Sequence, residues 1–382
     1  MKPTPLSALT ALLTLAAITV SAAAFDSGSD GSNGDLIVEG NQSVALPPDG
    51  VLRYGKIHIK GDATLTFQRN ARNSPVTLLA TNEVIIEGNI VLDGTAATGV
   101  TPGKGGPGGF DGGRAAQAGL PAGAGHGPGA GKVGVNNSGG AASHATRGII
   151  SGADNTPSIG AIYGDPLLLP IVGGSGGGGT PDGPSGGGGG GGAILIASNL
   201  KISLPTAGHG IFARGGENSG LYNDGSGGAI RLVAPFVEGV GTLNVLGGPE
   251  GGQGRVRVDL PDSSNARFNI AGVFTFGALM FTKLPIEPKL DLLKVAGRDI
   301  AVGELNSVIL TFPSATPKEQ TITVQARDFG DKVPIAVVLT PDQGERIVVE
   351  AEIDNTVNNP ATVTVSVTFP VNIPVTVNAW TR

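Results

Sequence analysis

Fifty of the 65 glycines fall between residues 99 and 254, and only four lie in residues 285–382. Inside the rich stretch, "SGGGGGGGAILIAS", Ser185 to Ser198, joins seven consecutive glycines directly to an apolar segment of strand type. Glycine at this density supports neither a helix nor a side-chain core. Any core must therefore be assembled from the short apolar pieces between the glycine runs. Apolar residues make up 40% of the chain and charged residues 15%, too apolar and too weakly charged for a disordered polymer.

Those apolar pieces read as strands. "KIHIKG", "ATLTFQ", "VTLLAT", "EVIIEG" and "NIVLDG" follow one another between residues 56 and 94, each bounded by turn residues and spaced too tightly for helices. No stretch beyond the N-terminal segment shows a 3.6-residue apolar period, so the class is all-β. A repeat emerges when "GGAILIASNLKIS" at Gly191, "GGAIRLVAPFVEG" at Gly227 and "GQGRVRVDLPD" at Gly252 are aligned, with "PVTLLATNEVIIEG" as an earlier copy. The alignment puts Ile194 and Ile196 level with Ile230 and Leu232, then with Val256 and Val258, all facing inward, and Arg231, Arg255 and Arg257 facing out. Units of this size suit the coils of a parallel β-helix-like β-solenoid, expected over residues 50–284. The glycine runs, at roughly 95–192, 215–228 and 247–254, leave and re-enter at one point of the repeat. They are expected as polyproline-II-like arms packed side by side, with a disordered glycine loop as the competing reading. Leu195 breaks the alternation, which a covering glycine arm would explain.

The flanks differ. Lys2, the apolar run Leu6–Val20 and the small residues Ala22–Ala24 form a secretory signal pattern, with cleavage expected before Phe25 and no membrane span afterwards. Loss of Lys2 with no acid takes the net charge from −6 to −7, which argues against nucleic acid as a partner. Residues 25–49 are expected to be flexible. Beyond a hinge at Pro285 and Pro288, alternating segments such as "QTITVQA" and "ATVTVSVTF" give about seven strands, an immunoglobulin-like β-sandwich over residues 285–382. The chain has no cysteine, so neither part carries a disulfide.

The combination "GGGGGGGAILIAS … GGAIRLVAP … LGGPEGGQGRVRV" resembles a group of secreted glycine-rich bacterial surface proteins that carry the same strands between glycine runs and end in a β-sandwich. The resemblance implies secretion or surface placement and transfers no catalytic residue.

Chemical motifs are sparse. "GAGKVG", Gly129 to Gly134, satisfies a G-x-G-x-x-G pattern, but "VNNSGG" follows it where a phosphate-binding helix is needed. Asp26, Asp30, Asn33 and Asp35 are close in sequence and of the right chemistry for calcium, the only cofactor considered. They lack the EF-hand glutamate, and a solvated N-terminus competes. The histidines (His58, His126, His144, His209) are scattered. Glu83, Glu87 and Asp93 are the nearest carboxylates for acid–base chemistry on a sugar chain, and they alternate as an ordinary solvent face would. The expectation is thus an exported, non-enzymatic surface, matrix or adhesive scaffold with polysaccharide or matrix partners. A carbohydrate-active β-helix enzyme or lectin is the alternative.

Overall fold

The computed structural model describes residues 25–135, 138–149, 158–183, 185–218 and 222–382. The signal segment 1–24 lies outside them. Among the described residues the chain is all-β, without an α-helix.

Seventeen strands build three parallel sheets. The first sheet holds β1 (Leu36–Val38), β4 (Ile57–Ile59), β7 (Val84–Ile86), β10 (Lys201–Leu204) and β13 (Phe236–Gly239). The second holds β2 (Asn41–Ala45), β5 (Thr64–Gln68), β8 (Asn89–Val91), β11 (Gly210–Phe212), β14 (Thr242–Asn244) and β16 (Asn269–Ala271). The third holds β3 (Val51–Tyr54), β6 (Val76–Ala80), β9 (Ala193–Ser198), β12 (Ala229–Val233), β15 (Arg255–Asp259) and β17 (Val273–Gly277). Up to β15 each strand pairs with the strand three places later, so the chain visits the sheets in turn and stacks one coil on the next; the last coil lacks a strand in the first sheet, and β14 pairs with β16 and β15 with β17. The expected alignment holds: Ile194 pairs with Ile230 and Ile230 with Val256, while Ile196 pairs with Leu232 and Leu232 with Val258. These columns and their counterparts on the other sheets share one buried core.

The expectation of a flexible segment over residues 25–49 fails. Leu36–Val38 pairs with Ile57–Ile59, and Asn41–Ala45 pairs with Thr64–Gln68, adding a coil below the one where the repeat becomes visible. Serine, asparagine and aspartate disguise this coil, because much of its hydrogen bonding comes from short polar side chains. Leu195 is covered differently from the expected way. It packs with Leu79, Ala197 and Val233 beneath Phe25, Val51 and Met280, so the two ends of the coil region shield it.

The outer face of the first sheet carries charges that change sign between rungs. Lys60 pairs with Glu39, Lys56 with Glu83 at 2.8 Å, His58 with Glu87 at 3.0 Å, and Lys201 with Glu238 at 3.4 Å. Each exposed pair contributes roughly 0–1 kcal/mol. A slip by one rung would set like charges opposite, so the ladder favours one register.

The glycine runs all leave between the second and third sheets: after β8, after β11 and after β14. They are ordered by backbone hydrogen bonds. Gly186, Gly189 and Gly192 donate to the carbonyls of Gly99, Thr95 and Leu92; Gly187 and Gly190 donate to Gly113 and Phe110; Gly188 and Gly191 donate to Asn223 and Ser226. The direction therefore repeats every three residues. Their carbonyls accept from Gly103 and Gly106, from Gly177 and Gly174, and from Gly216. Six neighbouring segments surround the heptaglycine, three accepting from it and three donating to it. A Cβ on Gly188 would stand 2.1 Å from the Gly216 carbonyl oxygen, and one on Gly190 would stand 2.0 Å from that of Gly174. Only a chain without side chains fits at this separation.

Eight further strands form a C-terminal unit of two four-stranded antiparallel sheets. One contains β18 (Lys289–Val295), β19 (Arg298–Asp299), β21 (Glu319–Arg327) and β24 (Ala361–Thr368). The other contains β20 (Val308–Leu310), β22 (Lys332–Pro341), β23 (Ile347–Asp354) and β25 (Val375–Thr381). Both contribute to a single core that includes Ile322, Val324, Ile335, Val337 and Val377. This unit rests on the glycine arm. Gly344 donates to Ala122, Arg346 to Ala130, Arg114 pairs with Asp342 at 3.7 Å, and Phe110 meets Trp380 edge-on at 5.7 Å.

Candidate functional site

The four residues considered for calcium do not converge. Asp26 accepts from Gly28 N and Asp30 from Ser32 N, both local turns. Asn33 caps Arg53 N and Asp35 caps Lys56 N, tying the entry segment to the second coil. No group of three or more His, Asp or Glu gathers for a metal among the described residues. The carboxylates considered for sugar chemistry are engaged as well: Glu83 and Glu87 belong to the ladder, and Asp93 takes two bonds from the Arg214 guanidinium. The Gly129–Gly134 stretch lies within the bundle, where Gly131 N donates to Gly176.

Three polar clusters were not legible in the sequence. The first joins Asp224 and Glu250, 26 residues apart, where two glycine arms meet. Asp224 is fully buried; its Oδ1 accepts from Asn218 N at 2.5 Å and its Oδ2 from Glu250 N at 2.9 Å. Burial first, and the neighbouring Glu250 carboxyl second, push Asp224 up to about 8. The Glu250 Oε2 atom is buried without a hydrogen-bond donor, the place a proton on Asp224 would fill. A carboxyl held protonated at neutral pH has the chemistry of a general acid. Asp224 has no exposed surface, so it acts here as a pin between arms.

The second cluster is an Arg231–Asp259–Arg257 triad on the outer face of the third sheet. Both guanidinium groups bond the Asp259 carboxylate, at 3.0–3.1 Å from Arg231 and 2.7–3.0 Å from Arg257. Arg231 also donates to the Leu279 and Phe281 carbonyls, and Leu279 N donates back to Asp259. The outward direction of both arginines was readable from the repeat. Their burial was not, because the cover is the connector to the C-terminal unit.

In the third cluster, His144 is sealed between arms and stacked 4.5 Å from Tyr163. Its Nδ1 bonds the Gly227 carbonyl oxygen at 2.8 Å, and burial pushes the imidazole down to about 4, so it is neutral. Tyr163 in turn bonds Ser175 at 3.0 Å. All three clusters fasten connecting segments to coils or to one another. No family model, curated protein or solved structure matches this chain.

Proposed function

We propose that the protein is an exported, non-catalytic scaffold of the cell surface or extracellular matrix. On this reading a β-solenoid over the coils carries polyproline-II glycine arms, and an immunoglobulin-like sandwich is seated on them. The observation that carries it is the hydrogen-bonded environment of Gly186–Gly192, with its three-residue repeat and six neighbours. Three residues per turn is the period of polyproline II, and its outward backbone groups suit lateral bonding. Such a bundle makes a stiff body of backbone alone. The ion pairing of Glu83, Glu87 and Asp93 supports a structural role for those acids.

The lectin alternative has one observation in its favour. The second sheet turns an uncharged face outward: Asn41, Thr64 and Asn89 align in one column, Ser43 and Thr66 in the next, with Phe212 half-buried farther along. A cavity of about 310 Å³ opens at Asn41, Gln42, Ser43, Thr64 and Thr66. Hydroxyls and amides without charge suit a neutral glycan, while the Phe212 ring carries the Arg214 guanidinium 5.3 Å from its centre.

Residues 25–382 applied to a glycan array, with and without calcium, test both readings. Binding without change to the glycan supports a scaffold or lectin, and loss on Thr64→Lys would place it on this face. Release of shorter sugars from a bound polysaccharide would overturn the non-catalytic reading.

A further inference from the structure

The two ends of the coil stack are finished differently. At the first end the core-facing residues Leu36, Val38, Leu52 and Tyr54 are 0–7% exposed. The outer edge of β3 is occupied: Asn33 N donates to Arg53 O, Ser29 Oγ to Tyr54 O, and Gly55 N to Gly34 O. In the second sheet the inward column starts with the polar, exposed Gln42. This end is closed.

The last end is open. Phe274 and Phe276 continue the inward columns of Val256 and Val258, yet no coil follows to cover them. They stand 52% and 38% exposed, edge to face with ring centres 6.0 Å apart. The inward column of the second sheet ends here at a half-buried Ile270. On β17 the backbone bonds run to β15, and among the described residues none reaches its outer edge. The chain leaving β17 does not turn across this end. It doubles back over the third sheet, where the Leu279 and Phe281 carbonyls are held by Arg231.

An open strand edge beside exposed aromatic residues is a liability that soluble proteins cover or charge. Here it is uncharged from Val273 to Gly277, in a chain of net charge −6. We propose that this end is a self-association surface, at which two copies meet tail to tail about a two-fold axis, β17 pairing antiparallel with its copy and Phe274 and Phe276 packing across the junction. The occupant follows from the two needs of the end, an extended partner for the edge and an apolar partner for the column. The same edge, rotated, supplies both. Its neutrality matters most for a self-contact, because any charge near a two-fold axis confronts its own copy. A two-fold contact uses the same patch on both copies, so the assembly stops at two.

Sedimentation of residues 25–382 at about 100 μM, where micromolar association is nearly complete, should show a dimer. The double variant Phe274→Lys, Phe276→Lys should be monomeric, with an unchanged circular dichroism spectrum and a melting temperature that no longer rises with protein concentration. Amides of residues 273–277 should gain hydrogen-exchange protection as concentration rises, while those of 41–45 do not. A monomer at this concentration, a dimer that survives both lysines, or open-ended chains would overturn the proposal.

Discussion

Asp224 shows how one residue sets the behaviour of a junction between arms. Its ordinary value is 3.8, and burial beside Glu250 raises it to about 8. Between those values the unfolded chain has released the proton while the fold keeps it, so stability falls as pH rises. The loss is on the order of 1 kcal/mol per pH unit. His144, pushed down from 6.5 to about 4, works with the opposite sign: its contribution is lost as pH falls through that range. The clean window for Asp224 is therefore 6.5 to 8. Melting temperature should decline across that window, and Asp224→Asn should flatten the decline, since an amide cannot ionise and still accepts from Asn218. An unchanged slope in the variant would assign the effect elsewhere. None of this was legible in the sequence, because Asp224 and Glu250 are brought together only by the path of two glycine arms. Arg231 and Arg257 were half legible, their direction fixed by alternation and their burial decided by a connector some 20 to 50 residues away.

At the scale of elements, strands and arms obey different rules. The strands of residues 56–94 and 193–259 were readable because each buries alternate side chains against its neighbours above and below. The first coil was not, because Asn41, Gln42 and Ser43 give no apolar alternation and the pairing with Thr64–Gln68 supplies what the side chains do not. The arms have no pattern to read beyond glycine itself; their order rests on backbone bonds to segments up to about a hundred residues distant. This makes a sharp expectation for the added methyl group. Gly188→Ala and Gly190→Ala place a Cβ 2.0–2.1 Å from a carbonyl oxygen, which the packed backbone cannot yield to cheaply. Each should cost about 3 kcal/mol, the upper end of overpacking effects. Gly40→Ala and Gly61→Ala are the controls, since neither position has an atom within 4 Å of the new Cβ or a positive φ. Gly31 and Gly34 would be poor controls, at φ of +70° and +72°. Thermal melts of the four variants decide the matter, and equal melting temperatures would mean that the arm does not pack.

Across the whole molecule, the glycine bundle joins the other parts. The coils hold one side of it through the three exits, and the C-terminal unit grips the other through Gly344, Arg346, Asp342 and Trp380. Composition alone fits a loose tether equally well, and the loop entropy of such a tether is small enough to tolerate. Pairing geometry separates the two, and that information is spread over the whole chain. Hydrogen exchange of the Gly186–Gly192 amides measures it most directly, in residues 25–382 at neutral pH and with overlapping peptides that resolve this run from Ala193–Ser198. With every one of these amides bonded to a carbonyl, at 2.7–3.0 Å, they should exchange as slowly as those of the adjoining buried strand. Exchange at the rate of an unstructured glycine peptide, next to a protected Ala193–Ser198, would contradict the packed bundle.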